Sequence, residues 1–157
     1  MAIDLDKIDL RLLEELQRDA SRPNVELARL VELSPAATLH RVRRLKESGI
    51  VSGITAAVDA TTAGFPLQVW VAATLKDHDE PANRRFADAV RKLPEVVAAD
   101  WVTGETDALL HVVAQDVGQL QRVLVRLSTR GGAQRLITLL RLQELKPRSP
   151  LPLETRA

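Results

Sequence analysis

Between residues 33 and 46 the chain carries four bases, Arg41, Arg43, Arg44 and Lys46, and no acid. If that stretch is helical, Ala37, Arg41 and Arg44 fall at i, i+4 and i+7, so a short residue and two guanidiniums share one face. A guanidinium's planar fork bonds a guanine edge bidentately or clamps a phosphate, which suits this face to nucleic acid. Ser34, Pro35, Ala36, Ala37 and Thr38 open the same segment, where a helix lying in the major groove meets base edges and where small side chains let the backbone approach. His40 and the two arginines stand behind them. His40 reads as a surface residue or phosphate donor rather than a metal ligand or switch. A second constellation is Gly104-Glu105-Thr106-Asp107, where Gly104 permits a positive φ and two acids flank a threonine. Taken alone it is a hairpin turn.

Nothing else in the chain assembles into a reactive centre. His40, His78 and His111 fall on a helix, a loop and a strand, and the pairs Asp77/Asp79 and Glu105/Asp107 are loop acids of the kind water usually solvates. With no cysteine there are no disulfides, thiolate metal sites or thiol nucleophiles, and a reducing compartment suits the chain. These features point away from an enzyme and from any cofactor or metal. No run approaches the roughly 18 apolar residues of a membrane span, and Met1-Ala2-Ile3-Asp4 opens with an acid where a signal peptide wants bases. The expected location is the cytoplasm. A net charge of +1 identifies no partner, but its distribution does: five acids (Asp4, Asp6, Asp9, Glu14, Glu15) crowd residues 4–15, which leaves the basic stretch as the nucleic-acid surface.

The elements that must position these residues follow from apolar spacing. Leu5, Ile8, Leu12, Leu13 and Leu16 mark an amphipathic helix that Asp4 or Asp6 caps. Asn24 is placed to cap a second, short helix burying Leu27, Ala28 and Val31. Ser34-Pro35 starts a third, with the serine as cap and the proline where its missing N–H costs nothing; Leu39, Val42 and Leu45 form its inner face and Gly49 its end. Three short helices with tight connections predict a helix-turn-helix. Residues 50–58 look extended, with Gly53 at the turn of a small β wing, and 59–66 lose periodicity and read as a linker. Beyond it come a strand over 67–75, a helix from about Pro81 to Leu93 stopped by Pro94, strands over about 96–103 and 108–114, a helix from Val117 to about Leu127 and a strand from about Gln134 to Leu145. That order, βαββαβ, is ferredoxin-like, so the fold class is α+β: a winged helix-turn-helix over 1–58 and a ferredoxin-like domain over 67–146. The tail 147–157, with Pro147, Pro150 and Pro152, reads as a loose end or an added edge strand.

Several of these segments together carry a resemblance. Leu5-Asp6-x-x-Asp9, Asn24-Val25-Glu26-Leu27-Ala28, Leu33-Ser34-Pro35, Arg41-Val42-Arg43-Arg44-Leu45 and Gly49-Ile50-Val51-x-Gly53 are similar to the DNA-binding half of the Lrp/AsnC (feast/famine) transcriptional regulators. Leu93-Pro94-Glu95-Val96, Val102-x-Gly104-x-x-Asp107 and Leu109-Leu110 resemble that family's ligand-responsive domain, and the likeness runs over about residues 4–146. It implies a sequence-specific regulator that binds double-stranded DNA. It also implies dimers paired through their sheets and assembled into rings, often octamers. The effector it implies is an amino acid, bound at contacts between dimers beside Gly104, Glu105, Thr106 and Asp107, with Thr138 as a polar pocket residue of the last strand.

The chain departs from the family pattern in three ways. Glu32 occupies the helix-turn-helix turn where the family commonly has glycine, at a cost of roughly 1 kcal/mol if the residue is left-handed. Glu105 and Thr106 fill the middle of a turn that in the family often carries an aromatic residue, and there is no tyrosine to supply a phenol contact. The alternative reading is therefore an effector-independent regulator or nucleoid-organising protein of the same fold.

Overall fold

A computed structural model describes residues 4–153, which fall into two compact units: residues up to 56 together with those from 146 onward, and residues 57–145. The first unit contains α1 (Lys7–Arg18), α2 (Asn24–Leu30) and α3 (Pro35–Glu47). Of the two aspartates placed to start α1, Asp6 is the cap. Its carboxylate accepts from the Asp9 amide at 2.8 Å while the Asp9 carboxylate accepts from the Asp6 amide at 3.3 Å, a reciprocal capping box. Leu12, Leu13, Leu27, Val31, Val42 and Leu45 close into one small core.

The inner face of α3 differs from the expected one. Leu39 is 50% exposed, and Thr38 is fully buried. Both share the helical spacing of Val42 and Leu45, but the buried stripe runs through Thr38, whose hydroxyl donates to the Ser34 carbonyl at 3.0 Å and so enters the core with its polar atom satisfied. Asn24 is also used differently. It is the first residue of α2 and leaves the cap to Pro23, and its amide donates instead to the Pro35 carbonyl at 2.7 Å, tying the start of α2 to the start of α3.

Between those helices Glu32 has φ +57°, in the left-handed region. Its amide donates to the Arg29 carbonyl at 3.3 Å and the Leu33 amide to the Ala28 carbonyl at 3.0 Å, the paired bonds of a Schellman ending that ordinarily favours glycine. After α3, Gly49 (φ +79°) turns the chain out of the helix. The β wing expected over 50–58 is not formed: these residues have no strand, and Ile54 and Val58 lie exposed, since an extended segment becomes a strand only with a ladder partner. The expected linker is an ordered turn of the second unit, in which Asp59 accepts from the Thr62 amide at 2.7 Å and Phe65 donates to Ala60 at 2.8 Å.

The second unit contains β1 (Leu67–Leu75), α4 (Glu80–Arg91), β2 (Val96–Trp101), β3 (Ala108–Ala114), α5 (Val117–Thr129) and β4 (Ala133–Leu140). The strands form one antiparallel sheet in the order β2-β3-β1-β4, the ferredoxin-like topology. Along β1, Val69, Val71, Ala73 and Leu75 are buried together with Phe86 of α4 and Val123 and Leu127 of α5. The alternate residues Gln68, Trp70, Ala72 and Thr74 point to the other face, as period-two geometry requires. The last strand stops at Leu140, short of the expected Leu145. The tail is neither an edge strand nor loose where it is described: it groups with the helical unit, and the Leu151 amide donates to the Gln17 side chain of α1 at 2.7 Å.

Replacing Glu32 by glycine is expected to raise the unfolding free energy of the helical unit by about 1 kcal/mol, the left-handed penalty of a residue with a Cβ. Urea denaturation of the full chain followed by far-UV circular dichroism measures it, and an unchanged or lower midpoint would show that the turn stores no such strain.

Candidate functional site

The exposed surface of α3 is built by what its other faces are committed to. Ser34 caps the helix, its hydroxyl accepting from the Ala37 amide at 3.2 Å. Thr38, Val42 and Leu45 face the core. Arg41 donates to Asp6 at 2.7 Å and to Asp9 at 2.9 Å, and Arg44 pairs with the other oxygen of Asp9. Asp9 is 1% exposed, so its carboxylate sits almost dry between two guanidiniums, a geometry in which removal of the guanidiniums would strand a buried negative charge. The Asp6 carboxyl is held below the usual carboxylate range, chiefly by the Asp9 amide and then by Arg41, and Arg41 is raised by the same two acids.

Of the residues expected to meet DNA, Ser34, Pro35, Ala36 and His40 are exposed and Ala37 is half-buried. Thr38 is a correction: a fully buried side chain bonded to its own helix cannot reach a groove. Arg41 and Arg44 lie together as expected, but on the side facing α1, with Arg41 only about a quarter exposed and Arg44 about half. Leu39, taken for core, is exposed, and so are Arg43, Lys46 and Glu47, which lie outside the set expected to meet DNA. A signal for this sorting lay in the acid-rich 4–15 stretch, whose charge complements the basic stretch in two elements of one small domain.

The turn 104–107 connects β2 to β3, and Gly104 has φ +121°, the freedom glycine supplies. Asp107 does structural work there. Its amide donates to the Ala73 carbonyl at 2.9 Å and one carboxylate oxygen accepts from the Leu75 amide at 2.7 Å, so the side chain extends the β1–β3 ladder one rung beyond Ala108. The other oxygen lies 3.4 Å from His78 Nδ1. Glu105 is exposed, and its carbonyl is 3.5 Å from the Thr74 hydroxyl. Thr138 pairs with Val71 across β1 from the strand that the turn enters, so one chain does not bring Thr138 to the turn. His111 stacks on Trp70 with ring centroids 4.6 Å apart on the sheet face opposite the helices. Among the described residues no group of three or more His, Asp or Glu is placed to hold a metal ion, and no helix is long and apolar enough to cross a membrane.

Residues 5–46 match the AsnC-type helix-turn-helix domain and residues 68–151 the Lrp/AsnC ligand binding domain. The chain belongs to the Lrp/AsnC family. It is 35% identical over 154 residues to the leucine-responsive regulatory protein of Escherichia coli strain K12, covering 98% of this chain and 94% of that one. To the protein of the same name from Rhizobium meliloti it is 34% identical over 145 residues, 92% and 93% of the two chains. A Neisseria meningitidis transcriptional regulator solved as an L-Met complex superposes with TM-score 0.88 at 34% identity, over 94% of this chain and 96% of that one. Bacillus subtilis LrpC superposes with TM-score 0.82 at 29% identity, over 93% and 100%. This Lrp/AsnC protein is therefore a DNA-binding transcriptional regulator with a ligand-binding domain, and the family is not enzymatic.

Because the folded pKa of Asp6 is lowered, its contribution is complete above the unfolded value of about 4 and is lost as pH falls through the lower folded value. Asp6→Asn keeps a capping side chain but removes the titration. The wild type should lose more stability than Asp6→Asn on acidification below about pH 4, read from urea midpoints; parallel acid limbs would contradict the assignment.

Proposed function

We propose that this regulator reads operator DNA with the solvent-facing surface of α3, and that its Arg41–Asp9–Arg44 cluster holds that surface in register. Ser34, Pro35, Ala36 and Ala37 form the N-terminal approach to base edges, and His40, Arg43 and Leu39 extend it along the helix. Arg43 is exposed and forms no ion pair among the described residues, which suits it to a guanine edge or a phosphate. Arg44, half-exposed, has nitrogen left to meet a phosphate, whereas Arg41 acts as a positioning residue. The observation carrying this reading is the buried Asp9 carboxylate, which commits the other arginines to the domain and leaves Arg43 to the solvent face.

Chains pair in this proposal through the sheet face opposite the helices. Trp70, Ile137 and Leu139 are more than a third exposed there, beside half-buried Leu109 and His111, an apolar surface of the kind a second sheet covers. Dimers then gather into larger rings such as the octamer the family resemblance implies, working in the cytoplasm beside the DNA. The effector is an amino acid with an apolar side chain, consistent with the leucine-responsive relatives and the L-Met complex. It binds beside Gly104, Glu105, Thr106 and Asp107 at a contact between dimers. Since Asp107 Oδ2 is taken by the Leu75 amide, the exposed Glu105 carboxylate is the better partner for the ammonium group. Thr138 joins the site only from a second chain.

Arg43→Ala should weaken operator binding by about 1–3 kcal/mol with no loss of stability, while Arg41→Ala should lower the urea midpoint. Leucine or methionine at about 100 times its dissociation constant should stabilise the wild type by about 2.7 kcal/mol. Wild-type operator affinity in Arg43→Ala would overturn the assignment of α3's outer face. If no amino acid shifts melting, assembly size or operator affinity, the effector-independent regulator is the correct reading.

A further inference from the structure

A second concentration of exposed positive charge among the described residues lies outside the helix-turn-helix. Over α4, α5 and the residue following each, 80–92 and 117–130, there are seven arginines and lysines against two acids, an excess of five in a chain whose total is +1. All seven bases are exposed. Arg84 pairs with Glu80 at 2.5 Å and Arg91 with Asp88 at 2.8 Å, which uses both acids. Arg85, Lys92, Arg122, Arg126 and Arg130 have no carboxylate within ion-pairing distance among the described residues. On α3, by contrast, Arg41 and Arg44 are committed to Asp9, so its unpaired bases are Arg43 and Lys46.

The spacing turns this excess into a surface. Arg85 and Lys92 are seven residues apart, two turns along one side of α4, while Arg122, Arg126 and Arg130 rise along α5 at four-residue steps. Arg84, Arg85, Lys92 and Arg130 border one open groove that runs along α4 to the end of α5; Glu80 and Asp88 line it too, and their charges are met by Arg84 and Arg91. Gly132, lacking a side chain, lets the Arg85 guanidinium lie against the backbone after α5: a Cβ there would come within 2.3 Å of its Nη2. Arg85 and Arg130 thus also complement the negative end of that helix. Arg85 and Arg130 stay exposed to solvent while doing so, and Lys92, Arg122 and Arg126 have no structural use at all.

We propose that the helical layer of the ligand-binding domain is a second, sequence-independent DNA surface, centred on the groove bordered by Arg85, Lys92 and Arg130, that holds phosphates of DNA beyond the segment read by α3. Dispersed arginines and lysines are what a phosphodiester backbone needs, since such contacts fix position without reading sequence. An acidic protein partner fits less well. Its binding energy would centre on large apolar or aromatic anchors, and the groove lining contains only Pro81 and Ala89 besides charged residues. A surface of this kind adds affinity on long DNA and makes binding steeply salt-dependent, because each phosphate neutralised releases counterions.

Two measurements on the full chain test this. The first is amine-reactive footprinting with and without DNA several times longer than a two-turn duplex of roughly 20 base pairs. Lys46 on α3 and Lys92 on α4 should both react more slowly when the long duplex is bound, and Lys92 should recover on the short one. Protection of Lys46 alone would overturn the second surface while leaving the α3 reading intact, and protection of Lys92 without DNA would make this face a contact between subunits. The second is the triple variant Arg85→Gln, Lys92→Gln, Arg130→Gln, confirmed by sedimentation to keep the wild-type assembly size. On long DNA its log K against log salt slope should fall by about 0.9 for each phosphate that the variant no longer neutralises, with affinity down roughly tenfold or more at low salt. An unchanged slope on long DNA would refute the proposal.

Discussion

The architecture of the DNA-binding half depends on one buried carboxylate. Asp9 is 1% exposed and bonds Arg41 and Arg44 while its own partner in the capping box, Asp6, also holds Arg41. A dry carboxylate between two guanidiniums tolerates little displacement, because the loss of either pairing leaves charge without water. The cluster therefore fixes how α3 is rotated about its own axis against α1. Once that rotation is set, Thr38 must go inward and Leu39, His40 and Arg43 outward. A small apolar core alone would specify this less sharply, since Leu39 satisfies the same helical spacing as Thr38 and is the more hydrophobic of the two.

The same division of labour recurs in the ligand-binding domain. Asp107, at a position that invites a ligand-binding role, spends one oxygen on the Leu75 amide and so finishes the β1–β3 ladder. The turn is anchored by its aspartate and presents its glutamate. In the helix-turn-helix an acid is anchored inside and bases are left outside, while in the α4–α5 layer bases outnumber the exposed acids, so a chain of nearly neutral total charge carries strongly uneven fields.

Much of this was legible in the sequence because it rests on local rules. The Ser34-Pro35 start of α3, the Asp6 cap and the βαββαβ order each follow from spacing or backbone chemistry within a few residues, while the left-handed turn at Glu32 was indicated by the family resemblance. The misplaced features are those decided by partners far away in sequence. Thr38 and Leu39 exchanged roles because the rotation of α3 is set from α1, about thirty residues earlier. Arg41 and Arg44 read as free charges for the same reason. The wing over 50–58 was inferred from composition, yet a strand exists only where another backbone completes its ladder. In the turn 104–107, a carboxylate that bonds a backbone amide looks in sequence the same as one awaiting a ligand.

The most direct test of the anchoring role of Asp9 is a double-mutant cycle on unfolding free energy, with Asp9→Asn, Arg41→Met and the pair compared by urea denaturation of the full chain. If the carboxylate and guanidinium are coupled as described, the single changes should each be destabilising and the double change should cost less than their sum, by about 1 kcal/mol or more. Additive losses would mean that the two residues act independently and that something other than this ion cluster sets the orientation of α3.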